Sequence, residues 1–145
     1  MENAADSMAR GDITVQELLW GQKLSKSLLR DRMNLIVASD VVGCGDEALF
    51  PPLLKTLRQL CSPETTILMA YKPRARFERM FFDSVLESFC VSRVWNRLLP
   101  SDCYTETFSA PVDVFEIRLR TEKSSREEGA NFDFRTSYPD AIFEE

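Results

Sequence analysis

Residues Met33–Ala48, MNLIVASDVVGCGDEA, constrain the fold more than any other stretch of this chain. A continuous apolar run reaches a carboxylate, Asp40, and gives way to a glycine-bearing turn and then to a helix pattern. Such a run fits a strand buried on both faces, in the interior of a parallel sheet covered by helices. Open α/β sheets bind ligands in the crevice beyond the carboxyl ends of their strands. Asp40 falls at that place, so the chemistry of the chain turns on what its carboxylate faces.

The flanking sequence supports an α/β reading. Residues 1–12 are small and polar, and are expected to be disordered. Ile13–Leu18 alternates apolar and polar residues and reads as a short strand, with Trp20 at its exit. Residues 22–32 form a charged linker or helical turn, and Met33–Val42 is the central strand. Asp46 is placed to cap the next helix, with Glu47 in its first turn and Pro51 and Pro52 where missing N–H groups cost least. Leu53, Leu54, Leu57 and Leu60 make its apolar stripe, and Ser62-Pro63 stops it. Thr65–Tyr71 is a second buried strand. Ala75–Phe89 is a second amphipathic helix, with Phe77, Phe81, Val85 and Leu86 on one side.

Strand, helix, strand, helix in that order means parallel strands joined by right-handed crossovers. The pattern then changes. Cys90–Leu99 and Val112–Arg120 read as strands separated by a loop, residues 100–111, so they pair antiparallel as a closing hairpin at the sheet edge. Residues 121–145 carry seven acids against three bases and read as a mobile acidic tail, in which Phe132, Phe134, Tyr138 and Phe143 are able to dock.

Composition removes several classes of function. At 145 residues with 28% charged, this is one ordinary domain or part of a larger one. A net charge of -5 leaves no cationic excess for nucleic acid. The absence of histidine, with four scattered cysteines, argues against a zinc site and against histidine-based acid–base chemistry. No segment has the ~18 apolar residues of a membrane span, and no leader pattern opens the chain. Reduced cysteines in a cytoplasmic protein, with the nucleus as a second location, is the simplest reading.

Four features carry candidate chemistry. Gly43-Cys44-Gly45-Asp46-Glu47-Ala48 satisfies G-x-G-x-x-A between a strand and a helix, the pattern of a dinucleotide site. The next strand ends in Tyr71-Lys72-Pro73 rather than in an acid, and Asp46 and Glu47 put negative charge beside any phosphate. A plain glycine turn is the stronger reading there. Asp40 is either a cap or surface group, or a carboxylate that orients a cationic group such as a lysine ammonium. Trp20 is either core packing or a flat surface for a nucleobase. Lys72, Arg74, Arg76 and Arg79 form either a solvated face or a dock for an acidic protein surface.

Taken together, VQELLWG (Val15–Gly21), NLIVASDVV with DEALFPPLLKTLRQLC (within Asn34–Cys61) and VDVFEIRLR (Val112–Arg120) resemble the C-terminal half of the methyltransferase-like family 21 group. The resemblance implies a partial Rossmann-like seven-strand methyltransferase fold over residues 13–120. It also implies S-adenosylmethionine as cofactor, and protein lysines, on chaperones or elongation factors, as substrate. Trp20 matches the tryptophan packed on the cofactor adenine, and Ser39 the small residue lining the cofactor pocket. Asp40 matches the catalytic-site acid opening the family's D-x-x-Y motif, with Gly43 standing where the family has tyrosine.

In that sheet, of order 3-2-1-4-5-7-6, the glycine-rich cofactor loop and the ribose-binding acid precede Val15. The chain is therefore expected to lack the N-terminal cofactor-loop strands, to expose the edge of Met33–Val42, and to bind the cofactor poorly by itself. Ile13–Leu18 should then lie unpaired or join that edge directly. A non-catalytic protein-interaction module is the alternative, and a nucleotide-binding α/β domain a weaker one.

Overall fold

The computed structural model describes residues 13–30, 33–43, 45–94, 112–121 and 133–137. Elements follow in the order α1 (Lys26–Arg30), β1 (Leu35–Ser39), α2 (Phe50–Leu60), β2 (Thr66–Tyr71), α3 (Arg79–Leu86), β3 (Phe89–Arg93), β4 (Asp113–Leu119) and α4 (Phe134–Ser137). The four strands form one sheet in the order β1-β2-β4-β3. β1 and β2 are parallel, with Leu35 beside Thr66 and Ser39 beside Ala70. β4 runs antiparallel between β2 and β3, pairing Met69 with Phe115 and Val91 with Ile117. This is the 4-5-7-6 portion of the sheet that the resemblance implies.

The local chemistry of the helices follows the sequence closely. Asp46 accepts a hydrogen bond from the Ala48 N–H at 2.9 Å and starts a 3-10 turn, Glu47–Leu49, that runs into α2. Pro51 and Pro52 occupy the first turn of α2, and Leu53, Leu54 and Leu57 are buried. The second helix is shorter than Ala75–Phe89. A 3-10 turn, Arg76–Glu78, precedes α3, which stops at Leu86, and Phe89 opens β3.

α2 and α3 pack together on one face of the sheet, where Phe50 of α2 meets Phe81 of α3 edge-on with ring centroids 5.6 Å apart. The core sits between them and that face. Leu53, Leu54, Leu57, Phe81, Phe82 and Val85 from the helices meet Ile67, Met69, Phe89, Val91, Phe115 and Ile117 from the strands. Phe134 of α4 is buried against the same cluster and stacks on Phe82 with ring centroids 3.8 Å apart. That aromatic of the C-terminal segment is docked; Phe132, Tyr138 and Phe143 lie outside the described residues, as do residues 1–12 and 100–111.

Three sequence expectations are corrected. Ile13–Leu18 joins no strand ladder and is exposed throughout, because β-forming residues make a strand only against a partner. The first of the two alternatives, an unpaired segment, is what the structure adopts. The central strand spans Leu35–Ser39 rather than Met33–Val42, and it is not buried on both faces. Ile36 and Ala38 turn inward, but Leu35 and Val37 are 53% and 72% exposed on the face opposite the helices. Among the described residues no helix covers that outer face. Cys90–Leu99 begins one residue earlier and ends as a strand at Arg93, with residues 95–99 outside the described set.

Candidate functional site

The carboxyl ends of β1 and β2 lie side by side, as parallel pairing dictates. The Asp40 N–H continues the ladder to the Ala70 carbonyl at 3.2 Å. The backbone of Asp40 then turns left-handed, with φ 62°, and ends the strand. Aspartate tolerates that region better than most non-glycine residues, which is why the chain reverses there without a glycine.

Its carboxylate receives the Arg74 guanidinium in a two-pronged ion pair. Nη2 donates to Oδ2 at 2.7 Å and Nη1 donates to Oδ1. Arg74 reaches across from the loop that follows β2, passing over Gly43. A Cβ on Gly43 would run into Arg74 Nη1, so the missing side chain leaves room for the approach. The hydrogen bond from Arg74 holds the Asp40 carboxyl below its ordinary range, with Lys72 adding a weaker pull in the same direction. Reciprocally, Asp40 raises the Arg74 pKa.

A buried carboxylate holds the Arg74 backbone. Glu78 Oε2 accepts from the Tyr71 hydroxyl at 2.8 Å and from the Arg74 N–H at 2.9 Å. Glu78 is almost fully buried, so these bonds satisfy a group that would otherwise be costly to enclose. The chain Tyr71–Glu78–Arg74–Asp40 therefore fixes the loop after β2 against the turn after β1. Sequence reasoning placed Arg74 in a basic cluster and did not single out Glu78. The available signal was an acid four residues after Arg74 in an otherwise basic stretch.

Ser39 is the exposed last residue of β1, directly before Asp40. Trp20 belongs to a separate segment that is anchored on α2. The Gly21 N–H donates to Thr56 Oγ1 at 2.8 Å, and Gly21, with φ 78°, packs on Pro52 so closely that a Cβ would meet Pro52 Cβ at 2.7 Å. Trp20 is thereby held half-buried against the core.

A cavity of about 250 Å³ is lined by Leu18, Leu19, Leu24 and Leu28, and one of about 480 Å³ by Leu35, Leu68, Val94 and Val114. Neither includes Trp20, Ser39 or Asp40. S-adenosylmethionine needs partners for its adenine, its ribose and its amino-acid end. Among the described residues, Asp40 is held by Arg74 and Trp20 packs against the core. The dinucleotide reading fares worse: Asp46 already caps the Ala48 N–H that a phosphate would use, and Arg74 lies over Gly43. No group of three or more metal-ligating side chains occurs among the described residues, and no described helix is long and apolar enough to cross a membrane.

The model of a family described as lysine methyltransferase matches residues 1–88, the stretch that contains Trp20, Ser39, Asp40, Arg74 and Glu78. The chain belongs to the lysine methyltransferase family. It is similar to protein N-lysine methyltransferase METTL21A of Mus musculus, 38% identical over 80 residues, covering 55% of this chain and 35% of that protein. Protein-lysine N-methyltransferase EFM6 of Saccharomyces cerevisiae is 33% identical over 92 residues, covering 57% and 37%. METTL21A of Danio rerio is 32% identical over 82 residues, covering 57% and 36%. The methyl donor these relatives imply is S-adenosylmethionine. The match to each covers little more than a third of that relative's length.

Proposed function

We propose that this chain carries the substrate-facing part of an S-adenosylmethionine-dependent protein-lysine N-methyltransferase site, and that its described residues by themselves do not complete that site. The observation that carries the reading is Asp40, left-handed at the end of β1 and gripped by Arg74. A lysine amine must lose its proton before it attacks a methyl group, and its ordinary pKa is ~10.4. A bare carboxylate beside it would favour the ammonium form. With Arg74 opposing its charge, Asp40 accepts a hydrogen bond from the amine and orients it with less bias toward the charged form. Ser39 and Trp20 border the donor side. The cofactor, when bound, supplies the electrophilic methyl group.

The proposed partners are protein substrates of the chaperone or elongation-factor class, and the proposed location is the cytoplasm with the nucleus. Calorimetric titration of the 145-residue chain with S-adenosylmethionine tests completeness. No heat of micromolar binding is expected, and micromolar affinity would overturn the incomplete-site reading. Surface-plasmon binding to purified chaperone and elongation factor tests the substrate side. Binding that is weakened by Asp40→Asn supports it, and binding indifferent to that change counts against Asp40.

A second reading, a non-catalytic interaction module derived from the same fold, is favoured by the uncovered outer face of β1 and β2. Retained partner binding that Arg76→Glu weakens and Asp40→Asn leaves intact is its signature.

A further inference from the structure

An ion pair as open to water as Asp40–Arg74 is weakly held by its own charges. Both side chains are about half exposed, so solvent screens the attraction, and ordering a long arginine side chain costs rotamer freedom. The residues behind Arg74 supply the missing restraint. The Arg74 N–H donates to Glu78 Oε2 at 2.9 Å, and the same oxygen accepts from the Tyr71 hydroxyl at 2.8 Å.

That oxygen is itself held from both sides. The buried Tyr71 ring meets Phe82 edge-on, with centroids 4.7 Å apart, and lies tilted against Phe115. Glu78 is buried in the 3-10 turn before α3, its own N–H donating to the Ala75 carbonyl at 3.1 Å. Pro73, buried directly before Arg74, fixes one further backbone angle of the loop. The Arg74 backbone is tied down on its inner side, and from there its side chain passes over Gly43 to Asp40.

The placement of the guanidinium bears on what Asp40 can accept. A carboxylate has about four lone-pair positions on its two oxygens. Arg74 takes one on each, which fixes the plane of the carboxylate and leaves the remaining positions for another donor. An amine arriving at Asp40 is then directed by that plane, and a displacement on a methyl group depends on such alignment.

We infer that Tyr71 and Glu78 are positioning residues for the substrate lysine, which act through the Arg74 backbone to set the plane in which Asp40 receives the amine. The role rests on Asp40 orienting the lysine, as proposed above. Neither residue touches the substrate. The contribution of Glu78 is geometric, a matter of where its oxygen stands rather than of its charge.

Two variants separate geometry from charge. Glu78→Gln keeps an acceptor oxygen at the same reach without the charge, and Glu78→Asp keeps the charge with the oxygen drawn back by a methylene. Nitrogen NMR of the labelled 145-residue chain at pH 7 reads the effect as the rate of rotation about the Arg74 Nε–Cζ bond, which a two-pronged pair slows. Rotation should be slow in the wild type and fast in Asp40→Asn. Glu78→Asp should speed it about tenfold, Tyr71→Phe by less, and Glu78→Gln should leave it near the wild-type rate. Amide spectra of β2 and β4 show that each variant is folded, and if Glu78→Asp is not, Tyr71→Phe decides.

Wild-type rotation in Glu78→Asp, or in Tyr71→Phe where that variant decides, overturns the inference. So does fast rotation in Glu78→Gln with slow rotation in Glu78→Asp, which would make the charge the agent. Surface-plasmon binding to purified chaperone and elongation factor separates this role from the reading beneath it. Binding weakened by both Asp40→Asn and Glu78→Asp, but not by Glu78→Gln, supports both. Binding weakened by Asp40→Asn alone overturns the positioning role, and binding indifferent to Asp40→Asn overturns the lysine-orienting reading itself, whatever Arg74 shows.

Discussion

Asp40 combines a strained backbone with a partnered charge, and single substitutions separate the two. Asp40→Asn keeps a residue that tolerates the left-handed region and removes the charge. The pair is half-exposed, with side-chain exposures of 56% for Asp40 and 42% for Arg74, so its contribution is screened to about 0.2–1 kcal/mol. Because the native carboxyl is held below its ordinary value of 3.8, that contribution is present above this value and is lost as pH falls through the lowered native pKa. Urea titrations of wild type and Asp40→Asn should therefore differ at pH 7 and converge in strong acid. Asp40→Val adds the steric cost of a β-branched residue at φ 62° and should lose about 1–2 kcal/mol more than Asp40→Asn. Cys61 offers an independent residue-scale check. Burial pushes its thiol up to about 11, so iodoacetamide should alkylate it slowly at pH 8 in the native protein and quickly in urea.

At the scale of elements, the loop after β2 and the short helix α4 depend on one buried side chain each. Glu78→Ala leaves the Tyr71 hydroxyl and the Arg74 N–H without their acceptor, and should cost about 1–3 kcal/mol by chemical denaturation. Glu78→Gln retains one acceptor oxygen and should lose less. α4 has only four residues, with Asp133 accepting from the N–H groups of Arg135 and Thr136 at its start. A helix so short is held by tertiary packing rather than by its own hydrogen bonds. Phe134 stacked on Phe82 supplies that packing, and Phe134→Ala should destabilise the chain by about 3–5 kcal/mol, read as a lower urea midpoint.

At the scale of the whole molecule, the described residues cover one face of the sheet and leave the other open. β2 and β4 are paired on both sides and back the helix layer, whereas among the described residues β1 has one unpaired edge and an uncovered face. Hydrogen exchange should accordingly be slowest in Ile67–Tyr71 and Val114–Ile117 and faster in Leu35–Ser39. Equal protection of β1 at low micromolar concentration would contradict an unpaired edge there. At the carboxyl ends of β1 and of β2, Asp40 and Arg74 are brought together as an ion pair.

Periodicity, caps and turn residues, all local properties, determined much of this protein in the sequence itself. The spacing of Leu53, Leu54 and Leu57 set α2, Asp46 and the two prolines set its start, and the apolar run before Asp40 set a strand ending in a carboxylate. The change from helix-separated strands to an adjacent pair was enough to read β3 and β4 as antiparallel. Pairing partners and faces were decided only by tertiary structure, because a strand exists by virtue of its neighbour. Among the described residues, Ile13–Leu18 has the pattern of a strand but joins no ladder, and Leu35 and Val37 have the pattern of an interior but no layer above them. Arg74 meets Asp40, 34 residues away in the chain, because parallel pairing of β1 and β2 brings their ends together and Gly43 leaves the guanidinium room to pass.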